Sequence, residues 1–354
     1  MPNTAMPDTT HNEEALNQPP AADSLLRVSQ LNTLIHTPRG TLRAIQDVSF
    51  SLQPGEILGL VGESGSGKSV TLRSLLRVMP KTTDISGSVQ WQGRELSDMP
   101  PKELRAVRGG EIAMIFQEPM IALNPVLTVW RQIDESLAAH TDLNRKQRRA
   151  RAIELLNQVG IPAPEMRVDD YPHQFSGGMR QRVMIAIALA GNPQLLLADE
   201  PTTALDVTIQ EQILKLLSTL RDELGMGMIF VTHDLGVVAQ LCDRVAVMYA
   251  GRIVENAPVA EIFSQPRHPY TQGLMASVPQ TGGERTPLLS IEGTPPSLLN
   301  LPKGCSFSPR CRYKTARCEQ EVPILDSLNT QHHVACHHYA DLPAATTLQP
   351  TSGA

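Results

Sequence analysis

Short apolar runs and amphipathic stretches take turns along the middle of the chain. Glu56–Gly62 (EILGLVG), Glu111–Gln117 (EIAMIFQ), Leu195–Asp199 (LLLAD) and Met228–His233 (MIFVTH) are short and apolar without alternation, which predicts strands buried on both faces. Lys68–Val78, Thr128–His140, Arg145–Val159, Met179–Ala190 and Val207–Glu223 are longer and read as helices, Met179–Ala190 with its apolar positions at helical spacing. Strand, helix and strand again is the rhythm of a crossover-connected α/β sheet.

This rhythm fills residues 25–264. Residues 1–24 are polar and Pro-rich and read as a disordered arm, and residues 340–354 as a frayed tail. From 265 onward 11 of the chain's 28 prolines crowd into the last 90 residues, which disfavours long helices and predicts a loop-rich appendage over 265–339. The chain has no internal repeat. Hydrophobic residues make up 41% of the 354, enough for a sizeable core. Lys and Arg number 31 against 36 Asp and Glu, a balance that argues against a nucleic-acid-coating protein but not against a nucleotide pocket. No apolar run is long enough to span a bilayer, and the N-terminus lacks the basic start and apolar stretch of a secretory signal. A cytoplasmic chain is therefore expected, with thiols rather than disulfides.

Gly62-Glu63-Ser64-Gly65-Ser66-Gly67-Lys68-Ser69 fits the phosphate-loop pattern G-x-x-x-x-G-K-[ST], set directly after a strand and before a helix. Glycines let successive N–H groups turn inward toward phosphate oxygens, and the helix start adds its positive dipole end. Lys68 can reach the β- and γ-phosphates, and the Ser69 hydroxyl can bind Mg²⁺. Asp199 at the end of an apolar strand is the expected second Mg²⁺ ligand, and Glu200 the expected general base for water. Two adjacent carboxylates alone would be an ordinary solvated turn; beside a phosphate loop they read as a metal and base pair.

Ser176-Gly177-Gly178-Met179-Arg180-Gln181-Arg182 is not explained by a phosphate loop. It resembles the signature motif of ABC-transporter ATPases, with Phe175 and Met179 where Leu and Gln are commoner. The resemblance implies a P-loop NTPase fold with an antiparallel β subdomain, a helical subdomain at about 118–180 and a C-terminal Cys-rich extension. It also implies that Ser176, Gly177 and Gly178 grip an ATP held by a second ATPase subunit, itself or a paralogue. Gln117 then matches the Q-loop glutamine near Mg²⁺, Ala204-Leu205-Asp206 the D-loop, and His233 the switch histidine. One departure is that no Phe, Tyr or Trp precedes Phe50 after Leu25, so the usual adenine-stacking aromatic is absent; Ile35, Arg39 or Leu42 could lie near the base instead.

Arg267-His268-Pro269-Tyr270-Thr271 and Cys305-Ser306-Phe307-Ser308-Pro309-Arg310-Cys311, with MIFQEPM, SGGMRQRVMIA and DEPTTALDVTIQ, resemble the dipeptide/oligopeptide/nickel importer ATPases. That family implies ATP hydrolysis at the cytoplasmic face of a bacterial inner membrane, with two transmembrane permeases as partners and, indirectly, a periplasmic solute-binding protein; no nucleic acid is expected. Dipeptide, oligopeptide, glutathione, nickel–chelate and opine-like cargos stay open. Cys305, Cys311, Cys318 and Cys336 are separated by gaps of five, six and seventeen residues, looser than zinc-ribbon knuckles. Four cysteines on a loose loop suit a [4Fe–4S] cluster better, and the resemblance implies one on Cys305, Cys311, Cys318 and Cys336; zinc and four inert thiols are the alternatives, with His332, His333, His337 and His338 as possible substitute ligands. Cys242, in an apolar segment, reads as core. A repair or translation ABC ATPase, or a cluster-based redox switch, are the competing functions.

Overall fold

A computed structural model describes residues 24–203, 205–277 and 291–342, apart from the side chain of Met120. The expected arm, most of the expected tail and Ala204 of the D-loop match therefore lie outside the described residues.

The strands in chain order are β1 (Leu26–Thr37), β2 (Gly40–Leu52), β3 (Ile57–Val61), β4 (Thr83–Trp91), β5 (Arg94–Glu95), β6 (Ile112–Ile115), β7 (Leu195–Asp199), β8 (Gly227–Thr232), β9 (Arg244–Tyr249), β10 (Arg252–Pro258), β11 (Asp326–Ser327) and β12 (His333–Val334). The helices are α1 (Lys68–Leu75), α2 (Pro101–Gly110), α3 (Pro119–Ala122), α4 (Val129–His140), α5 (Arg145–Gln158), α6 (Pro164–Arg167), α7 (Gly177–Leu189), α8 (Val207–Leu224), α9 (Leu235–Leu241), α10 (Val259–Ser264), α11 (Pro269–Ala276) and α12 (Ala316–Gln320).

Among the described residues there are two sheets. The smaller is antiparallel, in the order β2-β1-β4-β5. The larger runs β11-β12-β10-β9-β3-β8-β7-β6, with β9, β3, β8, β7 and β6 parallel and an antiparallel edge of β10, β12 and β11. The central strands explain why their sequences read as unbroken apolar runs. Successive side chains point to opposite faces, and both faces are covered. Leu58 and Leu60, Leu195 and Leu197, and Ile229 and Val231 enter one core with the small sheet and α1. Ile57 and Val61, Leu196 and Ala198, and Met228 and Phe230 enter the other, under the helical layer. The second core also takes Trp130, Ile133 and Leu137 of α4 and Leu155 and Leu156 of α5, so the helical segment rests on the sheet through α7.

The helix starts follow capping chemistry. Thr128, Asn144, Ser176 and Asp206 each accept a backbone N–H with a side-chain oxygen, and Asn144 forms a reciprocal capping box with Gln147. Helix α1 stops at Leu75, short of the expected Val78. Arg77 takes a left-handed φ of 52°, and its N–H folds back onto the Ser74 carbonyl. The appendage is loop-rich as expected, but it is built onto the cassette: β12 pairs with β10 and extends the main sheet. Cys242 is buried against Gly59, as a core residue should be.

Candidate functional site

Strand register builds the site. Val61 pairs with Thr232, Asp199 with Val231, and Ile115 with Ala198, so the C-terminal ends of β3, β8, β7 and β6 finish side by side. The loop at Gly62, His233, the Asp199–Glu200 pair and Gln117 consequently meet at one edge, where open α/β sheets bind ligands.

Two glycines shape the phosphate loop. Gly62 has φ +153°, and a Cβ there would stand 2.2 Å from the Met248 carbonyl oxygen. Gly67, the residue before α1, has φ +107° and would meet the Ala44 carbonyl oxygen at 2.8 Å. Neither position accommodates a side chain. Lys68 is buried, and its Nζ donates to the carbonyls of Gly62 (2.8 Å) and Glu63 (3.1 Å). Burial pulls its pKa below the ordinary value, against the opposing charges of Glu200, Asp199 and Glu63. The ammonium is thus poised inside the loop, poorly solvated and ready to gain from an anion.

The Ser69 hydroxyl donates to Asp199 Oδ1 at 2.6 Å. Asp199 is fully buried; among the described residues its Oδ2 has no hydrogen-bond partner and lies 3.8 Å from the Arg73 guanidinium. Burial raises its pKa, opposed by the Ser69 bond and by Arg73 and Lys68. A buried, under-satisfied carboxylate oxygen beside a serine hydroxyl is the donor set a hard divalent cation takes, and these residues fit Mg²⁺.

Glu200 carries a backbone strain, φ +46°, outside the range a carboxylate side chain prefers. The peptide is held there by its N–H donating to the Val231 carbonyl. Its Oε2 accepts from Thr203 Oγ1 (2.8 Å) and Gln117 Nε2 (3.2 Å), and lies 3.4 Å from Nδ1 of the exposed His233. The expected Q-loop glutamine and switch histidine therefore converge on a single oxygen of the expected base. Thr203 was not foreseen; its position three residues after Glu200 was the available signal.

Ser176, Gly177 and Gly178 stand elsewhere. Ser176 caps α7 through Met179 N–H (3.4 Å), and among the described residues no hydrogen bond or ion pair joins these three to residues 62–69 or 199–200. Asp206 caps α8 and is exposed. Of the residues considered for adenine, Ile35 and Leu42 are cross-strand partners in the β1–β2 hairpin and Arg39 is exposed near its tip.

The four cysteines Cys305, Cys311, Cys318 and Cys336 line one pocket together with His337 and His338. Burial pushes the Cys305 thiol to about 11 and Cys336 to about 12, with neighbouring cysteines adding to both. Among the described residues, however, no three His, Cys, Asp or Glu side chains group closely enough to hold a metal ion. This bears on the [4Fe–4S] cluster and on zinc alike, and the arrangement of the side chains supports neither over the other. His332 and His333 do not line this pocket, and His332 instead lies between Glu255 Oε1 (2.8 Å) and Glu261 Oε2 (2.9 Å).

Residues 45–203 match the ABC transporter family, and residues 254–318 match the C-terminal region of oligopeptide/dipeptide transporters. A putative peptide import ATP-binding protein of Brucella abortus is 51% identical over 302 residues, covering 85% of this chain and 91% of that protein. A probable peptide ABC transporter ATP-binding protein of Sinorhizobium fredii is 50% identical over 320 residues, covering 90% and 96%. Among solved structures, a dimeric ATP-binding cassette in a post-hydrolysis state with ADP and phosphate superposes with a TM-score of 0.59 at 30% identity, covering 66% of this chain and 98% of that one. A Clostridium perfringens component of an ABC transporter complex gives 0.57 at 30% identity, covering 68% and 91%.

Proposed function

Because the chain belongs to the ABC transporter ATPases, with the C-terminal region of the oligopeptide/dipeptide branch, we propose a mechanism in which its sheet-edge site hydrolyses ATP to energise a peptide importer. The observation that carries it is the convergence of Gln117, Thr203 and His233 on Glu200 beside the Ser69–Asp199 pair.

Gly62, Ser64, Gly65, Ser66 and Gly67 wrap the phosphates, and Lys68 exchanges its loop carbonyls for phosphate oxygens. Ser69 and Asp199 would hold Mg²⁺, with Gln117 beside it, and a bound ion would supply neutralisation of the charge that develops on the phosphates. Glu200 takes a proton from the attacking water, and His233 contacts the γ-phosphate from the end of β8. Ser176, Gly177, Gly178 and Asp206 act on the nucleotide of a second ATPase subunit. Hydrolysis is thereby tied to the association of two cassettes.

Membrane partners come with the family. Among the described residues no helix is long and apolar enough to cross a membrane, in keeping with a peripheral subunit docked on permeases. A docking surface lies beside Gln117. Ile121 of α3 is 80% exposed and Val126 75%, and Phe116, the residue before Gln117, is exposed as well. Apolar side chains this exposed beside the Q-loop suit a short helix of a permease. A periplasmic binding protein completes the importer at the inner membrane. For the four cysteines we keep the [4Fe–4S] reading, which their lining of a single pocket supports.

The direct test is association. With Glu200→Gln blocking turnover, MgATP should convert monomers to dimers in size-exclusion chromatography with light scattering. A chain that stays monomeric with MgATP bound would remove the two-cassette mechanism.

A further inference from the structure

The extension reaches the phosphate loop through two side chains, Arg310 and Tyr270. Arg310 lies in the CSFSPRC segment, between Cys305 and Cys311, and only 4% of its side chain is exposed. Its guanidinium grips the Glu63 carboxylate with both arms: Nη1 donates to Oε2 at 2.7 Å and Nη2 to Oε1 at 3.0 Å. Glu63 is the second residue of the phosphate loop. The guanidinium is itself fixed from behind, by Nε donating to the Glu292 carbonyl (2.9 Å) and Nη2 to the Ile291 carbonyl (3.1 Å). This planar, two-pronged pairing sets direction as well as distance.

A second contact from the same extension falls on the same residue. The Glu63 backbone N–H donates to the Tyr270 hydroxyl at 2.8 Å. Tyr270 is fully buried, packed in a cluster of rings with Tyr249 and Phe307, centroids 4.7 to 5.5 Å apart. The Glu63 carbonyl accepts from the Ser66 N–H (3.2 Å) and from Lys68 Nζ (3.1 Å). Every polar group of Glu63 is therefore in use. Its N–H and carboxylate are tied to the extension, and its carbonyl to the loop serine and the phosphate-binding lysine.

We infer that Arg310 is a positioning residue for the nucleotide site: by holding Glu63 it fixes the loop backbone against which Lys68 rests, so that the extension sets the affinity for the triphosphate. The inference rests on reading residues 62–69 as the phosphate site. A staple that served only the fold would have no reason to end on the loop residue whose carbonyl holds the lysine. Arg310 touches none of Gln117, Glu200 and His233, so the effect belongs to binding and not to the chemical step.

The test is a double-mutant cycle on the full chain, with Kd for a fluorescent MgATP analogue, KM and kcat for ATP, and thermal unfolding measured together. Arg310→Gln and Glu63→Gln should each weaken analogue binding about tenfold and raise KM to match, with kcat held within about threefold. The double variant should be no weaker than either single one, and Arg310→Lys, which keeps the charge but loses the fork, should fall between. A lowered melting temperature with unchanged Kd would make the pair a fold staple and overturn the inference. Losses that multiply toward a hundredfold in the double variant would overturn it too. If Arg310→Gln does not fold, Glu63→Gln decides alone, since it leaves Arg310 bound to Ile291 and Glu292; unchanged affinity there refutes the proposal. Wild-type protein that fails to bind the analogue, or Lys68→Ala that binds it normally, would sink the phosphate-site reading instead.

Discussion

Glu200→Gln separates binding from chemistry at this site. The amide has the shape of the carboxylate and keeps one oxygen to accept from Thr203 Oγ1 and Gln117 Nε2, now at 2.8 and 3.2 Å. What it loses is the charge and the ability to take a proton. Removing a positioned general base costs about 10²–10⁴ in rate, which at ~1.36 kcal/mol per decade is roughly 2.7–5.4 kcal/mol of barrier. Binding should move the other way. The Glu200 charge faces the same space as Lys68 and Asp199, so it repels the triphosphate, and its loss should leave MgATP affinity equal or slightly tighter. Single-turnover phosphate release gives the rate, and equilibrium titration with an ATP analogue gives the affinity. A fall of less than about tenfold in rate would remove Glu200 from the base role. A fall in rate matched by an equal loss of affinity would show that Glu200 serves the ground state and refute the reasoning.

Other consequences can be checked independently. Purified anaerobically, the full chain should carry about four iron and four acid-labile sulfide per chain and absorb visible light; colourless, iron-free protein would exclude the cluster. Ile121→Asp should weaken association with the permeases tenfold or more while analogue binding by the isolated chain stays unchanged; assembly at wild-type affinity would move the docking surface elsewhere. His332 is pulled down by burial, but bonds and charges from Glu255 and Glu261 outweigh this and hold its pKa above the ordinary 6.5. The folded chain then binds this proton more tightly than the unfolded chain, so the stabilisation is complete below pH 6.5 and is lost as pH rises through the raised folded value. His332→Gln should accordingly lower the melting temperature more at about pH 6 than at about pH 8.5, and an equal loss at both would refute the assignment.

What could be read from the sequence follows from the range of each interaction. Strands β3, β6, β7 and β8 announce themselves because burial on both faces leaves no polar position to interrupt the run. The motifs on their C-terminal ends inherited that certainty. The antiparallel sheet was expected only as a subdomain, without individual strands. In β1 and β2 the alternation slips at register shifts between Val28 and Leu31 and between Leu31 and Thr33, where Gln30 and Asp47 take positive φ, so the two-residue period survives only in short pieces such as Val48–Leu52. The contact between Arg310 and Glu63 spans 247 residues. No local pattern encodes it, and the arginine looked like one more polar residue between two cysteines. The cysteines show the limit from the other side: their spacing implied a common site, and the fold lines one pocket with all four, but spacing does not name the group they hold.

The separation of the signature from the phosphate loop is itself informative. Helix α7 runs from Ser176 back to the start of β7, so its N-terminus opens toward the same edge of the sheet as Asp199. Yet Ser176, Gly177 and Gly178 make no bond to residues 62–69 among the described residues. Two half-sites displaced sideways along one edge can each be completed by a second copy turned about a two-fold axis, and neither by its own chain. Lys68→Ala then disables the loop half in each site of its dimer, and Ser176→Arg the signature half, so each variant alone should be inactive. Mixed, they form heterodimers in which one site joins the intact loop of one chain to the intact signature of the other. Activity should reappear, toward roughly a quarter of wild-type turnover if sites act independently and pairing is random. Mixtures that neither release phosphate nor retain nucleotide in a dimer would show that each chain completes its own site, because only then does mixing create nothing new.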